Sequence, residues 1–403
     1  MMEFAGKHFL LIVENESVPF DRRVWQQALS LKNTGAKVTV ICPIFGKDNK
    51  RFEILEGINI FRYPLVFSDG TKKGYIKEYS FAFIRTIILY HRVLLKNGRI
   101  DIIHVANPPD IFWPLALYAR IFNTKFIFDE HDLAPETYVS RFELEGNHKS
   151  LLVTILKKSQ YLSYKFAHAV ISTNETYKRE ASNIYPKNKD KIYIVRNGPD
   201  TQKIFTTKQN KLLKKGRSYL FGFIGVMAIQ DGLDYIIKAV DYLVKNKNFK
   251  DFIVYLIGSG DDIPRLNNMV NELKLEEYII FTGRIPDEPA FEILSTADVC
   301  LSPDPYNPLN DKSTMTKVME YMTLGKPIVS FKLKEAQYSA MDSAIYVNNN
   351  DPVAFAEGIL QIISNPESAK EMGEKGKKRV EDVLSWQIQS KKLIEAYKQV
   401  LKN

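Results

Sequence analysis

Residues 310–331 read NDKSTMTKVMEYMTLGKPIVSF, a polar loop, an amphipathic helix, a Gly-Lys-Pro turn and a buried strand. A helix that hands over directly to an apolar, β-branched run is the unit from which parallel α/β sheets are made. Ser313 or Thr314 is placed to cap the helix, which would aim free backbone N–H groups and the positive dipole end at whatever the loop faces. Lys317 stands in the first turn and Glu320 one turn further on. The pattern suits a phosphate at the helix end and a ribose hydroxyl near Glu320. A capped helix is equally a purely structural feature, so the rest of the chain has to decide.

The same alternation runs through all 403 residues. In the first half, strands are predicted at 8–13, 37–42, 59–62, 101–105, 125–129, 169–172 and 191–195. The series restarts at 219–224 and continues at 252–257, 278–282, 298–302, 327–331 and 344–347. Between them lies DTQKIFTTKQNKLLKKGR (200–217), polar, lysine-rich and without apolar period, which reads as a linker. The fold class is therefore α/β, with two doubly wound Rossmann-like domains at 1–199 and 218–382. Two such domains are expected to enclose a cleft at the carboxyl ends of both sheets, where folds of this kind bind ligands. After Pro352 the pattern is helical only.

A hydrophobic content of 45% and a charged content of 26% are those of a globular protein. Cys42 and Cys300 both lie in apolar strand-like runs, which excludes a disulfide framework or a cysteine metal site and points to a reducing compartment. The N-terminus enters a strand without a signal-peptide layout and no apolar run is long enough to span a bilayer, so a cytoplasmic location is expected. Net charge is +9 and unevenly spread. Between Thr71 and Arg99 stand Lys72, Lys73, Lys77, Arg85, Arg92, Lys96 and Arg99 against one acid, Glu78, interleaved with Tyr75, Tyr79, Phe81, Phe83, Ile87, Ile88, Leu89, Tyr90 and Leu94. A second stretch, 149–168, carries Lys149, Lys157, Lys158 and Lys165 and no acid. Basic helices with apolar faces suit an anionic membrane surface. A helix with its apolar face in the core and its lysines in water gives the same pattern, and both readings stay open here.

Ligand residues should collect at strand ends. His131 follows KFIFDE, and His104 ends IDIIH, followed by Asn107 and Asp110. Asp21, Arg22 and Arg23 open an amphipathic helix after the first strand, and Asn197 follows the last strand of the first half. In the second half Gly225, the Gly258-Ser259-Gly260 run and Gly283-Arg284-Ile285 follow successive strands, where small residues let a ligand approach the backbone.

In order, the segments LKNTGAKVTVICP, FDEHD, VISTNET, IVRNGPD, FIGVMAIQDGLDYIIKA, YLIGSGDD, FTGRIPDE, STADVCLSP and KVMEYMTLGKPIV resemble glycosyltransferase family 4, a retaining family with the two-domain GT-B fold. The DRRV, NPPD, DEHDL and QDGLD runs look like the branch that assembles bacterial O-antigen, capsule and other cell-envelope glycans. The resemblance implies an acceptor-binding first domain, a donor-binding second domain, and a C-terminal helix, 383–403, that packs back on the first domain. It implies that Glu320 holds the ribose, that Arg284 and Ile285 frame the base, and that Gly225, Gly258 and Gly260 line the donor pocket. His131 would lie near the donor sugar, and Arg22, Arg23, His104, Asn107, Asp110 and Asn197 on the acceptor side of the cleft. His131 also fits a purely structural role in an Asp-Glu-His-Asp turn.

Departures from the family pattern are specific. Its first glutamate would fall on Lys312, beside Asp311, and its diphosphate-gripping Arg and Lys on Val226 and Asp231. A leaving diphosphate needs its charge neutralised. Lys317 with the helix end at Ser313 and Thr314 is the expected replacement, joined by Lys312 and by Arg22 or Arg23 across the cleft. Lys312 fits a solvated loop lysine equally well.

The activity expected is retaining transfer of a sugar from a nucleotide-diphosphate sugar, UDP in the first instance, to a glycan or polyprenyl-linked acceptor. It would serve cell-surface polysaccharide (lipopolysaccharide) synthesis at the inner face of the membrane. His131, Lys317 and Glu320 carry the reaction in this reading. No metal-ligand spacing occurs, so no cofactor and no metal dependence is expected. The alternatives are a UDP-sugar epimerase of the same fold, which needs no acceptor, and a non-catalytic membrane- or nucleic-acid-binding relative. No recognisable nucleic-acid motif supports the last.

Overall fold

In the computed structural model, residues 2–45, 50–65, 72–142, 151–204 and 206–402 are described. The chain divides into two units, one of residues 1–196 with 389–403 and one of residues 197–388. Of the basic stretches, Thr71, Lys149 and the side chains of Lys72 and Tyr75 lie outside the described residues.

The first unit holds β1 (His8–Ile12), β2 (Lys37–Ile44), β3 (Phe52–Leu55), β4 (Ile58–Pro64), β5 (Ile102–Ala106), β6 (Lys125–Glu130), β7 (Ala169–Ser172) and β8 (Ile192–Ile194). They form one sheet of eight strands in the order β3-β4-β2-β1-β5-β6-β7-β8. All pairings are parallel except that of β3 with β4. Every predicted strand is present, with ends that differ by at most two residues. Only the edge strand β3 was not predicted, because its alternation is short and half-buried. Strands β1, β5 and β6 are buried along their length, which is why they read as continuous apolar runs rather than as alternation.

The second unit holds β9 (Tyr219–Ile224), β10 (Phe252–Ile257), β11 (Ile279–Gly283), β12 (Val299–Ser302), β13 (Ile328–Phe331) and β14 (Ala344–Val347). Their order is β11-β10-β9-β12-β13-β14, parallel throughout. One apolar layer gathers Leu233, Ile236, Ile237 and Val240 with Phe355 and Ile359 on one side of this sheet. Another gathers Leu294, Val318, Met319 and Met322 on the other. Strand order reverses between β1 and β5 in the first sheet and between β9 and β12 in the second, the places where doubly wound folds open for ligands.

The 200–217 stretch, read as a linker, lies within the second unit and is fastened there. Thr207 N donates to Ser295 Oγ (3.1 Å), Asn210 N to Thr296 Oγ1 (2.9 Å), and Lys214 pairs with Asp298 at 2.8 Å. Polar tethering leaves no apolar period, so packed and free chain look alike in sequence. The last helix, Trp386–Lys402, passes from one unit to the other, and from Gln389 onward it belongs to the first. There Tyr397 packs against Phe9 (ring centroids 4.9 Å) and His104 (5.9 Å), and Lys398 pairs with Glu3 at 2.9 Å.

Candidate functional site

At the switch point of the second sheet, Gly225 follows β9 and Asp304 follows β12, and Lys317 of the helix Thr316–Thr323 lies beside both. Its Nζ is 2.6 Å from Asp304 Oδ1 and 4.9 Å from the Phe223 ring centroid. Asp304 Oδ2 accepts from Ser302 Oγ at 2.7 Å. Burial pushes the Asp231 carboxyl up to about 6, Lys317 draws it down and Asp304 raises it again. Lys317 is buried together with Asp304, and half-buried Asp231 feels both charges.

Tight loop packing explains the glycines. A Cβ on Gly258 would sit 1.8 Å from the Gly225 carbonyl oxygen, and one on Gly260 2.1 Å from that of Met227. The loops after β9 and β10 are tied by Gly225 N to Ile257 O (3.0 Å) and Met227 N to Ser259 O (3.0 Å). The close approach that these glycines permit is between the two loops themselves.

The expected cap is not made. The helix begins at Thr316, with Met315 before it and no side-chain cap. Ser313 Oγ donates to Leu309 O (2.9 Å), a local turn bond, and Thr314 Oγ1 donates to Glu335 Oε2 (3.4 Å) of the helix Lys334–Ala340. Lys312 is half-buried, with its N–H on Leu309 O at 3.0 Å, and Asp311 accepts from Lys334 N at 2.9 Å. Glu320 is half-buried one turn beyond Lys317. Arg284 is exposed after Gly283, and Ile285 packs on the Leu220–Ile257 apolar layer. Val226 is exposed, and Asn197 is half-buried at the start of the second unit.

In the first unit His131 is held by two neighbours. Its Nε2 is 2.9 Å from Asp129 Oδ2, and its backbone N–H donates to Asn107 Oδ1 at 2.6 Å. Asn107 Nδ2 donates to Asp110 Oδ1 and to Asp132 O, both at 2.8 Å, so this amide clamps the turn that carries the imidazole. Burial pushes Asp110 up to about 7, against the hydrogen bond from Asn107. Arg23 donates to Asp129 and, through Nη1, to Val195 O at 2.9 Å. His104 lies between Asp129 (3.1 Å) and the Tyr397 hydroxyl (2.8 Å).

Of the residues expected on the acceptor side, Arg23, His104, Asn107 and Asp110 are buried, with protein groups around the His131 turn as their partners. Arg22, next to Arg23 on the outer side of its helix, is exposed. Sequence reading missed Asp129, Asp304 and Tyr397. The first two had a signal, a carboxylate directly after a buried apolar run. Tyr397 had none, because its partner lies 293 positions earlier.

In the first unit the helix Trp113–Ala119 adjoins both Lys72–Asn97 and Leu151–Phe166. His91 Nε2 and the Tyr118 hydroxyl are 2.8 Å apart, and Trp113 stacks on Phe166 at 6.0 Å. The faces of these segments differ in burial. Ala82, Thr86, Tyr90 and Val93 are buried, whereas Ile84, Ile88, Leu95, Ile121 and Ile155 are exposed among Arg85, Arg92, Lys96, Arg120, Lys157 and Lys158. Among the described residues, no helix is long and apolar enough to cross a membrane.

Residues 21–203 match the family model Glycosyltransferase Family 4, and residues 218–365 match Glycosyl transferases group 1. The chain belongs to glycosyltransferase family 4. This transferase is 26% identical over 359 residues to an uncharacterized glycosyltransferase of Methanocaldococcus jannaschii, covering 87% of this chain and 86% of that protein. It is 26% identical over 378 residues to one of Haemophilus influenzae, with 93% of each chain covered. In fold it is similar to sucrose-phosphate synthase from Thermosynechococcus elongatus (TM-score 0.80, 17% identity, 98% and 99% covered). It is also similar to WaaG, a glycosyltransferase involved in lipopolysaccharide biosynthesis (TM-score 0.72, 12% identity, 96% and 99% covered), and to Anabaena HepE in complex with UDP-glucose (0.71, 14%, 97% and 99%). The transferase thus has the GT-B fold.

Proposed function

We propose that this transferase moves a sugar, with retention of configuration, from a UDP-sugar to a glycan or polyprenyl-linked acceptor in cell-surface polysaccharide synthesis. The observation that carries this reading is Lys317 beside Gly225 and Asp304 at the switch point of the second sheet. HepE, which has the same fold, holds UDP and UDP-glucose, which supports UDP as the carrier. The second unit would take the nucleotide, with Arg284 and Ile285 at the base, Glu320 at the ribose, and Gly225, Gly258 and Gly260 lining the pocket. Lys317 and the amides at the start of its helix, with Lys312, Ser313 and Thr314 in the preceding loop, would meet the diphosphate.

In the reaction, the bond between the anomeric carbon and the diphosphate oxygen breaks while the acceptor oxygen bonds to the same face. The departing phosphate takes the acceptor's proton. The protein supplies position and charge: a cation and helix amides toward the diphosphate, and the His131 imidazole toward a hydroxyl of the reacting sugars. Divalent metal has no part in this scheme.

Exposed isoleucines and leucine among lysines and arginines on helices Lys72–Asn97 and Leu151–Phe166 and the turn Arg120–Phe122 support a resting place on anionic membrane, at its inner face, where a polyprenyl-linked acceptor is available. Incubation with UDP-, GDP- and TDP-sugars and a polyprenyl-diphosphate-linked glycan, followed by mass spectrometry, tests the reading. Transfer from a UDP-sugar with free UDP raising Tm is the expected result. Turnover of donor in the absence of acceptor would instead identify an epimerase, and no response to any nucleotide would reject both.

A further inference from the structure

Asp129, next to last in β6, is wholly removed from solvent, and donors converge on it. Arg23 Nη2 reaches Oδ1 at 2.8 Å. Onto Oδ2 come Gln27 Nε2 at 2.6 Å, His131 Nε2 at 2.9 Å, His104 Nε2 at 3.1 Å and Arg23 Nε at 3.3 Å. Burial alone would push this carboxyl up, but Arg23, His131 and His104 together hold it well below the usual range, so it is ionised. An ionised carboxylate only accepts hydrogen bonds. Both imidazoles must then carry their proton on Nε2.

Burial pushes His104 down, keeping it neutral, so its Nδ1 is a lone pair and the Tyr397 hydroxyl donates to it. A proton-ordered chain results: Tyr397 to His104, His104 to Asp129, and His131 to Asp129. In neutral His131 the same logic leaves Nδ1 as an acceptor, and no described residue bonds to it. That side chain is 14% exposed, against 1% for His104, so of the two imidazoles on Asp129 it is the one within reach of a ligand.

We propose that Asp129 is a positioning residue for His131, fixing the imidazole as the Nε2–H tautomer so that Nδ1 accepts a hydrogen bond from a sugar or acceptor hydroxyl. Tyr397, on the C-terminal helix, secures Asp129 from behind through His104. The identity of the hydroxyl rests on the glycosyl-transfer reading, whereas the tautomer does not. Removing the carboxylate's second acceptor oxygen is the change that reverses a histidine tautomer in hydrolase triads. In this network Asp129→Asn would put an amide donor among four side chains that all donate.

The test is ¹⁵N NMR of the full chain with labelled histidine, six residues in all, with His131 assigned through the signals missing from His131→Gln. The expected wild-type spectrum has His131 Nε2 protonated and Nδ1 bare, and Asp129→Asn moves the proton to Nδ1. That variant should lower kcat by on the order of 10²-fold with KM within about threefold. If Asp129→Asn does not fold, Tyr397→Phe keeps the carboxylate. It should shift the His104 and His131 ring resonances and lower kcat by a smaller factor, about fivefold, at unchanged KM. Wild-type His131 protonated on Nδ1 alone overturns the proposal, even in a protein that transfers sugar. The expected tautomer in a protein that turns over no donor upholds the positioning and rejects the transfer reading.

Discussion

Lys317 Nζ and Asp304 Oδ1 lie 2.6 Å apart, both side chains almost entirely out of solvent. The lysine expected to grip a diphosphate is held in place by an ion pair with a carboxylate from the next strand end. A buried pair breaks asymmetrically, because removing one charge strands the other. Lys317→Ala should therefore destabilise the second unit by roughly 3–5 kcal/mol in addition to abolishing transfer. The Lys317→Met/Asp304→Asn double variant removes both charges and should recover most of the lost Tm while remaining inactive. Activity in the double variant would remove Lys317 from the reaction.

Loop packing around Gly258 separates two kinds of glycine. Gly258→Ala puts a Cβ onto the Gly225 carbonyl oxygen, whereas a Cβ at Gly283 meets nothing within 4 Å and suffers only from its φ of +67°. Gly258→Ala should cost ~3 kcal/mol or more and weaken UDP binding. Gly283→Ala should cost about 1 kcal/mol. Chemical denaturation of both variants, with isothermal titration of UDP, distinguishes them. Equal losses would show that the loop contact is not what demands glycine.

Stability should fall between pH 6.5 and 8. Burial and the nearby Glu78 push Glu14 up to about 8, and burial pushes Glu130 up to about 8 and Asp110 to about 7. A carboxyl whose pKa is raised in the folded state favours folding at low pH, and that contribution is lost as pH rises through the folded value. Below pH 6.5 the effect is opposed, because burial lowers His8 and His168 to about 4, and their contribution is lost as pH falls. Glu14→Gln should flatten the fall above pH 6.5 by about 1–2 kcal/mol. An unchanged slope in a pH series of urea melts would place the Glu14 carboxyl outside this linkage.

The exposed face of the first unit makes a membrane prediction independent of catalysis. Leu95 and Ile121 are 90% and 76% exposed, so Leu95→Asp/Ile121→Asp should leave Tm unaltered. It should lower sedimentation with phosphatidylglycerol vesicles by roughly tenfold, while neither protein binds phosphatidylcholine tightly. Equal binding by the variant would leave the patch without a membrane role.

Among the described residues, no group of three or more His, Cys, Asp or Glu side chains is arranged to hold a metal ion. Transfer is expected to proceed undiminished in excess EDTA, and recovery only on adding Mg²⁺ or Mn²⁺ would contradict that expectation.

The sequence by itself determined the two doubly wound sheets and, to within two residues, their parallel strands, because buried strands in such a fold must be short, apolar and followed by turns. It also picked out residues 310–331, whose helix and strand stand where they were predicted. Only tertiary structure decided what the polar residues of that stretch and its counterpart do. Ser313 and Thr314 bond elsewhere, Lys317 is paired with Asp304, and His131 is held by Asp129 with Tyr397 behind it. Secondary structure follows from local periodicity, which a sequence displays directly. The partner of a buried charge is chosen by which strand ends meet, and residues 13 or 293 positions apart carry no mark of that meeting.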